Sequence, residues 1–331
     1  MGFIATMGEA LKALSPTHFT VSTASNQKSP YSRYGILPTN SGITNRAINM
    51  TFDDKAIIGA SAYGYINGFI YQSYDLVLFL FSKDTISNPI ARIIIRGADS
   101  KYALQVFNDS ENDWETKKVS AVTYAPFDLM RYDVYISLGE SGEINFYGGP
   151  IEILSWEGDT TISGCTAINR CDLLGSYVQT QGGQFIVWSG AFVSDEDSKG
   201  LEIADLPITA DGTLRGWDGG AADVDEVGIA TGDAMSATSS GLVSTFEKGA
   251  VPPGLRSGGY SLEALILTGL AASGLSAGQN LKFLHTADEV TLTEGASNAL
   301  SVTYTAPQTI FTDVSGMPIS EFDALKIGVK S

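Results

Sequence analysis

Two residue types on which catalytic and metal sites commonly draw are almost missing. The 331-residue chain holds two histidines, His18 and His285, and two cysteines, Cys165 and Cys171. His18 opens one expected strand and His285 closes another, so each is read as a rim or interior residue rather than a general base beside a nucleophilic serine. The cysteines lie in GCTAINRC with no further ligand nearby, which sets a zinc centre aside. Two separate thiols are expected, or a small disulfide loop in an oxidising setting. Positive charge is also scarce. Lys and Arg total 20 against 37 Asp and Glu, a net charge of −17. Nucleic acid and anionic membrane surfaces both require a cationic footprint, so neither is an expected partner. No apolar run reaches the ~18 residues that a membrane-spanning helix needs. No GxxxxGK[ST] loop occurs, and no GxGxxG opens a helix after a strand. The N-terminus, MGFIATMGEALKAL, lacks the basic residues that begin a secretory signal, so export by that route is not expected.

What remains is a β pattern. Apolar residues make up 44% of the chain and glycines number 36, which suits a packed core with many turns. In RYDVYISLGESGEINFYGG, Tyr132, Val134, Ile136 and Leu138 alternate with polar neighbours. A Gly-rich turn follows, and Ile144 and Phe146 alternate again. Similar segments recur at 18–22, 47–52, 68–73, 76–81, 91–96, 103–108, 118–124, 151–156 and 184–194. Many short strands with frequent turns predict a sandwich rather than βαβ units. The polar run Ser194 to Gly200 marks a boundary, giving a domain over 16–197 and a smaller one over 198–331. In the second, strands are expected at 201–203, 241–247, 264–267, 281–285, 299–305, 308–313 and 324–329. Long loops are expected over 211–240. The best helical pattern is residues 3–14, where Phe3, Ile4, Met7, Leu11 and Leu14 form an apolar stripe. Residues 1–15 are therefore expected to form an N-terminal helical arm that packs on its own domain or docks on a neighbouring subunit.

Two stretches resemble known families. The meander ending in Phe146-Tyr147-Gly148-Gly149, followed by Ile151 to Trp156 and the Gly158-Asp159 turn, resembles the laminin-G-like or concanavalin A-like sandwich. Gly148 stands where that pattern has an Asp. LEIADLPITADGT from Leu201, then GWDGG from Gly216, Ala222 to Glu226 and ISEFDALKIGVKS from Ile319, resemble a module of tailed-phage and prophage structural genes. That module follows a laminin-G-like domain. The resemblance implies a virion protein of a tailed bacteriophage. It implies two all-β domains, a concanavalin A-like jelly-roll sandwich and a smaller jelly-roll-like sandwich, in a homo-oligomer that meets other virion proteins, copies of itself and host surface polysaccharide.

Candidate chemistry is thin. A glycosidase on such a sandwich needs two carboxylates flanking the scissile bond. Glu152 and Glu157 have a related spacing, but on a regular strand they face opposite ways. Trp114 and Tyr124, placed at turns, are the candidates for stacking on sugar. Asp223, Asp225 and Glu226 are the acidic cluster that would take calcium, the one cofactor considered. From these absences the chain is expected to be no enzyme and to act by contact, as a structural component of a virion or as a module that binds host glycan.

Overall fold

The structure is a computed structural model. It describes residues 3–6, 19–22, 24–32, 35–38, 47–68, 75–174, 185–224, 234–269, 271–274, 279–303, 305 and 307–331. The chain divides into two compact units, one carrying residues 17–203 with the first strand, the other residues 204–331. Both are all-β.

The first unit contains β1 (Phe3–Thr6), β2 (Phe19–Ser22), β3 (Gly35–Pro38), β4 (Ala47–Lys55), β5 (Ile57–Asn67), β6 (Leu76–Ser82) and β7 (Pro89–Ile95). It continues with β8 (Lys101–Asn108), β9 (Asp113–Thr123), β10 (Leu129–Ser137), β11 (Gly142–Gly148), β12 (Ile151–Gly158), β13 (Ile168–Leu174) and β14 (Phe185–Ser194). One sheet has eight strands in the order β12-β11-β10-β5-β14-β3-β2, with β1 also on β14. The other has six, in the order β4-β13-β6-β7-β8-β9.

The N-terminal helix expected from residues 3–14 is corrected. Phe3 and Ile4 belong to a strand, paired with Phe192, Val193 and Ser194. The reason lies in β14. Among the described residues it pairs with β3 at Trp188, and an extended FIAT segment takes up the backbone groups of residues 192–194 on that side. Met7, Leu11 and Leu14 lie outside the described residues.

Aromatic rings fill the space between the sheets. Trp188, Tyr132 and Phe146 come from the eight-stranded sheet, and Phe79 and Tyr102 from the six-stranded one; all are buried. Phe79 meets Trp188 edge-on at 5.7 Å, Tyr102 meets Phe146 at 5.4 Å, and Tyr132 stacks on Phe146 at 5.6 Å. Their polar ends are satisfied. The Tyr102 and Tyr132 hydroxyls share a hydrogen bond of 3.2 Å, and Trp188 Nε1 donates to the Leu174 carbonyl at 3.0 Å. β5 runs beneath these rings with Ala60, Ala62 and Gly64, residues small enough to admit them. A Cβ at Gly64 would stand 2.8 Å from Trp188 Cζ3.

The far face of the eight-stranded sheet is closed by the chain that leaves β14. Arg131 forms a two-bond pair with Asp133 at 2.8 and 3.0 Å, reaches Glu202 at 2.5 Å, and donates to the Ser198 carbonyl at 3.1 Å. Tyr63 donates to the same Glu202 at 2.9 Å. Burial alone would lower the Arg131 pKa, but Asp133 and Glu202 outweigh it and hold the guanidinium charged. Burial, then Glu202, push the Tyr63 phenol well above its ordinary value. These contacts keep residues 198–203 with the first unit, past the boundary expected after Asp197.

The second unit contains β15 (Ile208–Arg215), β16 (Val243–Lys248), α1 (Pro253–Ser257), β17 (Leu265–Thr268), β18 (Asn280–Thr286), β19 (Thr293–Glu294), β20 (Asn298–Ala299), β21 (Gln308–Phe311), α2 (Ile319–Ala324) and β22 (Lys326–Lys330). One sheet has the order β15-β16-β22-β18-β19 with β20 also on β18, and β17 pairs with β21 in the other. Phe246, Phe283, Leu265, Leu267, Phe311, Phe322 and Ile327 pack together as its core. The Glu289 carboxylate, 8% exposed, ties the sheet to its neighbouring turn. It accepts from the Thr213 amide at 2.7 Å and hydroxyl at 2.6 Å, from Thr245, and from Lys326 at 2.8 Å. Burial would raise its pKa, yet these donors hold it far below the usual carboxylate range.

Two outcomes are expected. Gly64→Ala should destabilise the first unit by about 1–3 kcal/mol, because the core rings cannot yield without strain; urea unfolding followed by tryptophan fluorescence checks this. Glu289→Gln should destabilise the second unit by about 1–3 kcal/mol near neutral pH. Because the folded pKa is depressed, the stabilisation is complete above the unfolded value of about 4.3 and is lost progressively as pH falls from there towards the much lower folded value. The difference between wild type and variant should therefore shrink from about pH 6 to about pH 3 in thermal melts.

Candidate functional site

The six-stranded sheet has one face in the aromatic core and an outward face of mixed character, where Arg92 and Gln105 stand beside the buried Ile90, Ile94 and Ala103. Tyr102, Leu104 and Val106 of β8 point into the aromatic core, so Gln105 must point away from it. Antiparallel partners share a face. Gln105 pairs with Arg92 of β7 and with Thr116 of β9. Arg92 pairs with Leu80 of β6, Leu80 with Asp172 of β13, and Asp172 with Asn49 of β4. One register row, Asn49-Asp172-Leu80-Arg92-Gln105-Thr116, thus crosses the whole sheet on its outward face. At a strand spacing of about 4.8 Å the row is about 24 Å long.

Side-chain contacts run along it. Arg92 Nε donates to Gln105 Oε1 at 2.6 Å, and Gln105 Nε2 donates to Thr116 Oγ1 at 2.9 Å. The Arg92 guanidinium lies over the Trp114 ring at 4.1 Å, and Phe107 meets that ring edge-on at 5.4 Å. At the other end Arg170 Nε donates to Asp172 at 2.7 Å and its Nη2 to Asn49 at 2.9 Å. Burial lowers the Arg92 pKa to about 10, against the pull of Asp75 and Asp113, so the group remains a cation at neutral pH. Burial pushes the Asp172 carboxyl up, opposed by Arg170, and its buried Oδ1 has no hydrogen-bond partner. Gln105 and Asp172 are buried within the row, so what reaches solvent is the half-buried Arg92 guanidinium, the half-buried Trp114 indole, the Asn49 amide and the Thr116 hydroxyl, a set suited to hydrogen-bonding and stacking on a polyhydroxylated ligand.

The residues singled out from sequence fall in several places. Trp114 is on this face, but Arg92 covers one side of its ring, so it braces the arginine as well as offering an aromatic surface. Tyr124 is 5% exposed with its hydroxyl donated to the Gly68 carbonyl at 3.1 Å, which removes it as a stacking surface. Glu152 and Glu157 are corrected. A bulge in β12 opposite Phe146 and Tyr147 brings both onto the outward face of the eight-stranded sheet, paired with Tyr147 and Glu143. Those partners are four residues apart, about 13 Å, beyond the about 5–9.5 Å of a glycosidase pair. Asp223 accepts from the Gly220 amide at 2.6 Å; Asp225 and Glu226 lie outside the described residues. Among the described residues no group of three or more His, Cys, Asp or Glu could hold one metal ion. His18 also lies outside the described residues. His285 is buried, with Nε2 2.9 Å from Asp313 and its ring against Phe311. Cys165 and Cys171 are separate thiols.

Arg92, Gln105, Arg170 and Asp172 were missed in the sequence. Their signal was a lone charged or amide residue inside an apolar strand, as in PIARIII, ALQVF and RCDLL.

No family model matches the chain, and no sequence match was found among curated proteins. Solved structures do resemble it. An endo-β-1,4-glucuronan lyase from the fungus Trichoderma reesei is 10% identical, with a TM-score of 0.42 over 53% of this chain and 87% of that one. An alginate lyase from a Chlorella virus is 9% identical, with a TM-score of 0.43 over 58% of this chain and 99% of that one. The botulinum neurotoxin serotype C1 binding domain is 10% identical, with a TM-score of 0.39 over 54% of this chain and 43% of that one. The expectation that the chain is no enzyme is corrected by these findings. Polysaccharide lyases are among the similar structures, and a missing glycosidase pair speaks to glycosidases alone. At these scores no activity is carried over from them.

Trp114→Ala should cost the first unit about 1–2 kcal/mol, while Trp188→Ala should cost about 3–5 kcal/mol, because only the second ring is fully buried. Paired denaturant titrations check this, and equal costs would contradict a half-buried Trp114.

Proposed function

We propose that the first unit is a glycan-contact platform whose binding surface is the outward face of the six-stranded sheet. The supporting observation is the single row from Asn49 to Thr116, with Arg92 held between Gln105 and Trp114. Flat sheets with fixed polar groups present a ligand with an extended surface, and a long polymer can gain several modest contacts along it. The row lies on rigid strands, so little ordering entropy opposes binding. On the resemblance of Leu201 to Glu226 and Ile319 to Ser331 to a phage module, we place this contact on the particle of a tailed bacteriophage. There the second unit would meet other virion proteins and copies of the same chain.

Affinity electrophoresis through gels containing neutral or acidic polysaccharides tests the platform. Retardation by at least one polymer is expected, reduced tenfold or more by Trp114→Ala and unchanged by Tyr260→Ala in the second unit. Retardation by none of them, or retardation unaffected by Trp114→Ala, would overturn the proposal.

A further inference from the structure

Arg92 is a half-buried cation that the protein positions without a direct ion pair among the described residues; Asp75 and Asp113 act on its charge only from beyond contact distance. Its Nε is used by Gln105 and one face of its guanidinium by Trp114. Its two terminal nitrogens donate to no atom among the described residues, and none of their carboxylates stands within the 4.0 Å of an ion pair. Two other partly buried arginines among the described residues of this unit differ. Arg131 holds Asp133 and Glu202, and Arg170 holds Asp172. In a chain with 37 acidic residues and 20 basic ones, acidic partners are plentiful, yet among the described residues none stands at contact distance from Arg92. Taking a charge partly out of water without a partner costs free energy, so a site retained in this form suits a ligand that supplies the opposite charge.

The geometry says which part of that ligand. Gln105 is itself fixed by Thr116, so the carbonyl facing Arg92 is oriented. With Nε engaged there, the free edge of the guanidinium is the pair of terminal nitrogens, a planar fork that matches two oxygens of one oxyanion. We infer that Arg92 receives an oxyanion of the bound polymer, a sugar carboxylate or a sugar sulfate, so that this face prefers acidic over neutral polysaccharide. This rests on the glycan-contact reading. The net charge of −17 opposes it at long range, but at about 0.15 M salt that repulsion is screened beyond about 8 Å, whereas a direct two-bond contact on a half-buried group is screened far less.

The test pairs a polymer measurement with a small-ion one. Calorimetric titration with a polyuronate, a sulfated polysaccharide and a neutral polysaccharide should show an acidic-to-neutral affinity ratio of tenfold or more for one acidic class. That ratio should fall towards one in Arg92→Gln and take an intermediate value in Arg92→Lys, which keeps the charge but not the fork. A ratio unchanged in Arg92→Gln overturns the inference. In parallel, the Arg92 Nε resonance is followed by NMR during addition of sodium glucuronate and of sodium sulfate, and the ion that shifts it identifies the oxyanion. A shift without binding of any polymer overturns the glycan reading and supports the oxyanion site. No shift with either ion overturns the site, even where a polymer binds.

Discussion

The alternation of residues on antiparallel strands around the aromatic core, shifted locally by bulges in the pairings of β6 with β7 and of β8 with β9, determines the rest of the first unit. Tyr102, Leu104 and Val106 must face Tyr132, Phe146 and Trp188, because their rings and methyl groups have no other place to escape water. Once they do, Gln105 and its cross-strand partners have no choice of face. A slip of one residue in any strand of the sheet would send its polar residue inward and a core residue out. The register that makes the sandwich stable therefore also assembles the row on its outside, from residues far apart in sequence.

Charges in the two units do different work. Around Arg131 the buried ions are paired with one another, and their role is to hold residues 198–203 against the eight-stranded sheet. Such pairs give modest net stability but make the arrangement specific, since losing one partner strands the other. Glu289 plays the same part in the second unit, joining Thr213, Thr245 and Lys326 from three strands. Arg92 departs from this pattern. Its direct contacts are a neutral amide and an aromatic ring, while Asp75 and Asp113 act on its charge without pairing with it.

Much of the fold was legible in the sequence, for definite reasons. Strands such as β10 and β11 show clean alternation because one face is core and the other polar, and their hairpin was read from the Gly-rich turn. β5 was missed although it lies at the centre of its sheet. Its run IIGASAYGYIN is rich in small residues because Trp188 and Tyr132 lie over Gly64, so the apolar alternation that reveals a strand is absent. β1 was misread because four residues of a strand can share the spacing of a helical stripe when the segment is short. The binding row was invisible for another reason. Each strand contributes one residue to it, and only the pairing of six strands shows that these single residues line up. Trp114 could be picked out from its turn-side position, but not the arginine it supports.

The most direct test of the account is a crystal structure of the chain with an acidic oligosaccharide bound. The account predicts a sugar chain lying across β7, β8 and β9 on the outward face, with one of its acidic groups within hydrogen-bond distance of both terminal nitrogens of Arg92. An oligosaccharide seated on the eight-stranded sheet, on the loops at the sandwich ends, or on the second unit, with Arg92 untouched, would contradict it.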